Sequence, residues 1–232
     1  MPKLSIIICA YNESRTILSI LDRVQASRLS EGWSKEILVV DNCSTDGTRE
    51  LLGHLKWPDV RVILQPANLG KGNSVRTGYA QATGDYAVIQ DADLEYDPEE
   101  LENFTRAVDQ TRASAVFGSR TLGGRAIYKY AANYWGVRFL TAIFNLLFDA
   151  QLTDIAVATK LVRLDIVREL ELTGSGFDLD FELPCKLRKR GYTIVEVPIS
   201  YHPRTVQEGK KLKAIETGLA TVWVFLRERL TP

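Results

Sequence analysis

Strand-like and helix-like segments alternate along residues 1–120, and this alternation constrains the fold more than any other feature of the chain. The strand-like segments are continuous apolar, β-branched runs: KLSIIICA, KEILVVD, VRVILQ, DYAVIQ and ASAVFGS. Such runs are typical of parallel strands that are buried on both faces. The stretches between them carry apolar residues at helical spacing, as in ILSILDRV. The pattern predicts an α/β fold with a mostly parallel central sheet flanked by helices.

Composition and charge limit the classes of protein to consider. The chain has 232 residues, 45% of them hydrophobic, which predicts one domain, 1–232, with a sizeable core. Its 29 basic residues balance 29 acidic ones, so no basic field indicates a nucleic acid as partner. Cys9, Cys43 and Cys185 form no close pair and indicate reduced thiols. Without a signal peptide or an 18-residue apolar run, we expect a cytoplasmic protein with no transmembrane span.

Each predicted strand ends in polar residues, where open α/β sheets bind ligands. After the fourth strand, Asp91, Asp93 and Glu95 occupy every second position of QDADLE. Side chains two apart on an extended chain point to the same side, so these carboxylates are expected to converge. Clustered carboxylates repel one another unless a cation lies among them, and Mg²⁺ takes one or two carboxylates together with substrate phosphates. The spacing predicts a metal and diphosphate site; solvated acids before a helix are the alternative.

The stretch NLGKG offers a further candidate phosphate contact. It lacks the G-x-x-x-x-G-K-[ST] spacing, which excludes a P-loop NTPase. Lys71 remains a candidate nucleotide contact, while Gly70 and Gly72 are expected to form the turn before a helix.

Taken in order, the motifs resemble glycosyltransferase family 2, and within it the dolichol- or polyprenol-phosphate mannosyltransferase group. The matching segments are SIIICAYNES, EILVVDNCSTDGT, NLGKGNSVRTGYAQATGDYAVIQDADLEYDPEEL, GSR, LTD and RKRGYTIVEVPISYHPRTVQEGKKLK. The resemblance implies a GT-A fold, with a nucleotide-sugar-binding half over 1–120 and an acceptor-side helical half over 121–232. It also implies an inverting transferase that uses Mg²⁺ or Mn²⁺ and GDP-mannose or a UDP-sugar.

The resemblance implies roles for individual residues. Nucleotide-sugar contacts are expected at Tyr11, Glu13, Val39, Asp41, Lys71, Asp91, Ala92, Asp93, Arg204 and Lys210. Asp93 is the expected main metal ligand, with Asp91 and Glu95 as further ligands, and catalytic roles are implied for Asp93, Arg120 and Asp154. For Asp41 the alternative is a cap on the next helix, and for Lys210 a solvated surface position.

The acceptor implied by the resemblance is a polyprenyl phosphate on the cytoplasmic face of a membrane. Residues 128–152 place Trp135 and Phe139 on one helical face, with Arg138 at headgroup level, as in an interfacial amphipathic helix. We therefore expect a peripheral membrane protein. The alternative is that this helix packs on the core of the protein or lies in the interface of a homo-oligomer. The same alternatives apply to the apolar helix near the C-terminus.

Two other functions stay open from the sequence. After LTD the chain reads IAVATK, where the mannosyltransferase group tends to carry Pro-Met-Ser-Gly, and Cys9 replaces a frequent proline. A transferase acting on a hydroxyl of a glycan or small molecule would need a general base, with Asp154 the first candidate and Asp180 or Glu182 the second. The remaining alternative is a nucleotide-sugar-binding protein without catalysis.

Overall fold

A computed structural model describes residues 1–122, 131–203 and 214–231. In these parts of the chain, seven strands form one sheet in the order β3-β2-β1-β4-β6-β5-β7. The strands are β1 (Lys3–Ala10), β2 (Ser34–Asp41), β3 (Val60–Leu64), β4 (Tyr86–Asp91), β5 (Ala115–Ser119), β6 (Lys160–Arg163) and β7 (Ile194–Pro198). The helices are α1 (Ile17–Ala26), α2 (Thr48–Gly53), α3 (Lys71–Gln81), α4 (Leu101–Thr111), α5 (Ala131–Phe148), α6 (Leu164–Glu169), α7 (Leu179–Lys189) and α8 (Ala214–Leu230).

The core is centred on β1, which pairs in parallel with β2 on one side and β4 on the other. Ile7 lies opposite Leu38 and Ile89, and these three side chains have almost no exposed surface. The predicted α/β class with a mostly parallel sheet is confirmed. The exception is β6, which runs antiparallel between β4 and β5 and which the apolar pattern did not predict.

The glycines of NLGKG bring the start of α3 against the backbone of residues 174–176. Gly70 has φ +88°, so it forms the expected turn. A Cβ on Gly72 would lie 2.7 Å from the carbonyl oxygens of both Gly174 and Gly176. The amide of Asn73 donates to the Ser175 oxygen at 3.1 Å. The glycines therefore allow a close backbone contact as well as a turn.

Helices α5 and α8 pack on each other and on α7 through aromatic rings. Phe225 lies with its ring centre 5.5 Å from that of Phe144 and 5.9 Å from that of Phe181. The opposite faces carry two apolar stripes, Trp135, Phe139 and Leu146 on α5 and Leu219, Trp223, Leu226 and Leu230 on α8, all exposed. Across the described residues, no helix combines the length and the apolar character needed to cross a bilayer.

Replacing Gly72 by alanine should destabilise the fold, because the new Cβ would meet backbone atoms that cannot move aside. We expect Gly72→Ala to lower the free energy of unfolding by about 1–3 kcal/mol. The control is Gly136→Ala in α5, where a Cβ has no neighbour within 4 Å. This control should stabilise by about 0.5–1 kcal/mol, since alanine is the better helix former. Urea unfolding measures both, and equal midpoints for the two variants would contradict the close contact.

Candidate functional site

The carboxyl ends of β1, β2 and β4 lie side by side and place the first group of expected site residues at one edge of the sheet. Asp41 is paired with Ala10, and Asp91 with Cys9. Tyr11 and Glu13 follow β1 and are half-buried. Burial raises the pKa of Cys9 to about 12, so its thiol stays protonated beside Asp91.

Asp41 lies fully buried at the end of β2. Its Oδ2 is 3.2 Å from Nε of Arg49 and accepts from the amide of Ser44. Its Oδ1 has no hydrogen-bond partner within the described parts of the chain. A buried carboxylate oxygen without a donor is costly, so this atom suits a ligand N–H. The N-cap of α2 is Gly47, so the capping alternative for Asp41 is wrong. Val39 is buried inside β2.

Lys71 places a cation between two carboxylates. Its Nζ is 2.9 Å from Oδ1 of Asp91 and 3.4 Å from Oδ2 of Asp180. Burial alone would lower the pKa of Lys71, but the charges of Asp180 and Asp91 outweigh it and raise that pKa well above its usual value. The ring of Phe177, itself 42% exposed, lies 5.5 Å from the same ammonium. The sequence pointed to Lys71 but not to this bridge.

The segment after β4 turns instead of continuing as a strand. Ala92 is buried, Leu94 has φ +63°, and the amide of Glu95 donates to Oδ1 of Asp93 at 3.1 Å. The carboxylate of Glu95 accepts from the hydroxyl of Tyr201 at 2.9 Å. Among the residues that the structure describes, no three His, Cys, Asp or Glu side chains are close enough to hold a metal ion together.

The expected convergence of three carboxylates is therefore not formed. The regular alternation requires an extended chain, and the turn at Leu94 ends it. In addition, Asp91 already faces the ammonium of Lys71. One carboxylate at Asp93 still fits Mg²⁺ or Mn²⁺, because such ions commonly complete their shell with substrate phosphates and water.

Arg120 and Asp154 form a buried, two-pronged ion pair. Nε and Nη2 of Arg120 lie 2.7 and 2.8 Å from the two carboxylate oxygens. The amides of Arg120 and Ala156 also donate to this carboxylate, so four N–H groups surround it. The guanidinium lies 5.0 Å from the ring centre of Tyr201. Asp154 thus orients Arg120 and offers little room for a substrate proton.

The other candidate bases also have partners. Glu182 is fully buried, lies 2.7 Å from Nζ of Lys186 and accepts from the amides of Thr173 and Gly174. Burial opposes the charge of Glu182, but these bonds lower its pKa. The carboxylate of Glu182 is thus already engaged by Lys186 and by the backbone. Arg204, Lys210 and residues 128–130 lie outside the described residues.

Sequence reasoning missed Lys160, which is fully buried in β6. Its ammonium donates to the carbonyl of Val157 and lies 5.4 Å from the ring centre of Phe117. Burial lowers the pKa of Lys160 to about 8. Nothing in the four-residue KLVR stretch indicated burial of a lysine.

Comparison with known families identifies the chain. Residues 5–171 match the family model described as Glycosyl transferase family 2. The chain belongs to glycosyltransferase family 2. The resemblance inferred from its motifs is confirmed.

Two relatives of known activity align over most of the chain. An undecaprenyl-phosphate mannosyltransferase of Micrococcus luteus is 27% identical and aligns over 97% of both chains. A low-salt glycan biosynthesis hexosyltransferase of Haloferax volcanii is 25% identical over 88% of this chain, which spans 48% of that relative. The chain therefore spans about half of one relative and nearly all of the other.

The sheet and its flanking helices have the GT-A fold of family 2. Glucosyl-3-phosphoglycerate synthase from Mycobacterium tuberculosis, in complex with Mn²⁺, UDP and phosphoglyceric acid, superposes with a TM-score of 0.72 at 19% identity. The match covers 100% of this chain and 80% of the synthase. The predicted GT-A fold is confirmed.

Breaking the Arg120–Asp154 pair should cost far more than breaking an exposed pair of the same residue types. Asp154→Asn leaves a buried guanidinium without its counter-charge, and we expect a loss of about 3–5 kcal/mol in the free energy of unfolding. The control is Asp165→Asn, since Asp165 pairs with Arg163 in the open at 2.6 Å. It should change stability by at most about 1 kcal/mol. Similar urea midpoints for the two variants would show that Asp154 does not anchor Arg120.

Proposed function

We propose that this protein transfers a hexose, with inversion, from a nucleotide sugar to a polyprenyl phosphate. The observation that supports a phosphate acceptor is that every candidate general base is already paired with groups of the protein. Asp154 is surrounded by four N–H donors, Glu182 is buried against Lys186, and Asp180 faces Lys71. A hydroxyl acceptor needs a positioned base, whereas a phosphate is already an anion and needs none. The full-length similarity to an undecaprenyl-phosphate mannosyltransferase supports the same acceptor.

The donor is proposed to bind along the ends of β1, β2 and β4. Oδ1 of Asp41 is suited to an N–H of the nucleobase, and Asp93 is suited to a divalent ion that also binds the diphosphate. Crystal structures of the mycobacterial synthase contain Mn²⁺ or Mg²⁺ together with UDP. Such an ion, when bound, would stabilise negative charge on the leaving diphosphate.

The basic residues have separate proposed roles. Arg120 is held by Asp154 beside Tyr201, which fixes the direction of its guanidinium and suits it to a phosphate. Arg204 and Lys210 remain proposed phosphate contacts on the basis of the family motif. Each charge-assisted contact of this kind contributes about 1.5–3 kcal/mol.

Asp93→Ala should abolish transfer without unfolding the protein. The loss of a metal ligand removes several kcal/mol of charge stabilisation, so we expect a fall of at least about a hundredfold in rate. The assay uses GDP-mannose and UDP-hexoses with Mg²⁺ or Mn²⁺, and with undecaprenyl phosphate or a hydroxyl acceptor. EDTA should abolish wild-type transfer, and Asp165→Ala is the matched surface control.

Two results of this assay would contradict the proposal. Asp93→Ala retaining most of the metal-dependent rate would remove Asp93 as metal ligand. Transfer to hydroxyl acceptors but not to undecaprenyl phosphate would contradict the proposed acceptor. It would favour the alternative function, transfer to a hydroxyl of a glycan or small molecule.

We also propose that the apolar stripes of α5 and α8 bring the site to a bilayer surface, because both lie in solvent beside exposed Arg138 and Arg229. Trp135 and Phe139 are 67% and 64% exposed. Replacing both by serine should lower partitioning onto anionic vesicles at least about tenfold, since each aromatic contributes about 1.5–3 kcal/mol when buried. Added salt should weaken binding of the wild type only in part.

Vesicle sedimentation measures this partitioning. The control is Leu18→Ser, because Leu18 is exposed on α1, outside both stripes. Equal binding by the wild type and the double variant, or no binding by either, would show that the stripe on α5 does not anchor the protein to the bilayer.

A further inference from the structure

The bridge between Asp91 and Asp180 joins two distant parts of the chain at the proposed donor site. Asp91 ends β4, whereas Asp180 lies in the first turn of α7. Lys71 contacts both carboxylates from the start of α3, and all three side chains are at most 20% exposed. The bridge is therefore shielded, and its charges interact more strongly than surface charges do.

The backbone around Lys71 and Asp180 is fixed independently of these charges. Gly72 and Asn73 contact the 174–176 backbone directly. The carboxylate of Glu182 holds the amides of Thr173 and Gly174 from inside α7. Because this backbone fixes the Cα positions of Lys71 and Asp180, the ammonium of Lys71 is positioned by two carboxylates, those of Asp91 and Asp180.

We propose that Asp180 is a positioning residue for the donor, which acts through Lys71 on the carboxylate of Asp91. This inference rests on the proposed function. Shared between two acids, the ammonium neutralises part of the charge of Asp91 and limits the rotation of its side chain. With Asp180 gone, Asp91 is the remaining acid of the bridge. The ammonium of Lys71, already 2.9 Å from it, is then no longer shared and holds this carboxylate away from the nucleotide sugar.

A double-mutant cycle with a binding readout tests the link. UDP or GDP, each with Mn²⁺, is titrated calorimetrically into the wild type, Asp180→Asn, Lys71→Met and the double variant. Each single change should weaken binding about three- to tenfold, and the double variant should bind no more weakly than Lys71→Met. Asp180→Glu keeps the charge and should recover most of the affinity. Asp165→Asn should bind as the wild type does.

The same variants separate positioning from other roles. At saturating donor, Asp180→Asn should keep kcat within about threefold, because only donor binding is affected. Unchanged nucleotide affinity with kcat lowered by about 10²–10⁴ would make Asp180 a general base and overturn the inference. Additive losses in the double variant would overturn it too, as would a lower melting temperature with unchanged affinity.

Failure of the inference is distinguishable from failure of the proposed function. A wild type that binds neither nucleotide with Mn²⁺ overturns both. A wild type that binds, with variants that bind equally well, overturns only the role of Asp180. If Asp180→Asn does not fold, Asp180→Glu and Lys71→Met decide: unchanged affinity in Lys71→Met overturns the inference.

Discussion

The carboxylate of Asp154 holds together the half of the site that does not come from the first four strands. It accepts four N–H groups and so ties the end of β5, which precedes Arg120, to the segment that leads into β6. Glu196 in β7 accepts from the amides of Thr153 and Asp154 and joins the third strand of this half. Burying these charges is costly, and only the complete set of donors offsets that cost. The geometry of Arg120 therefore depends on three separate strands.

Nearly all the acidic side chains of the site accept hydrogen bonds from, or form ion pairs with, other groups of the protein. Asp91 and Asp180 share one lysine, Glu95 accepts from Tyr201, and Glu182 holds a loop. Among the buried carboxylate oxygens of the described residues, Oδ1 of Asp41 is the one without a hydrogen-bond partner. An arrangement of this kind suits chemistry in which charge is stabilised and no side chain has to remove a proton.

Local patterns in the sequence predicted local structure. They did not predict contacts between segments that are far apart in the sequence. Apolar runs located the first five strands because burial on both faces leaves a continuous signature. Strand β6 has only four residues, and it is a strand because it pairs with β4 and β5. No local sequence pattern indicates this pairing. Alternation suggested that the acids after β4 converge, but it cannot foresee the turn at Leu94. Family motifs named Lys71, Arg120 and Asp154, while their partners Asp180 and Glu196 required the fold.

The placement of β6 also affects how the chain assembles during synthesis. Strand β4 is complete at Asp91 and β5 at Ser119, whereas β6 ends only at Arg163. Until β6 emerges, β4 has an open edge of unpaired N–H and C=O groups. Both β4 and β5 run antiparallel to β6, so β5 has the direction needed to pair with that edge as a parallel neighbour after a right-handed crossover through α4. In the finished sheet β5 lies one position further out, beyond β6. The edge of β4 is therefore a place where a partly synthesised chain is open to mispairing and aggregation.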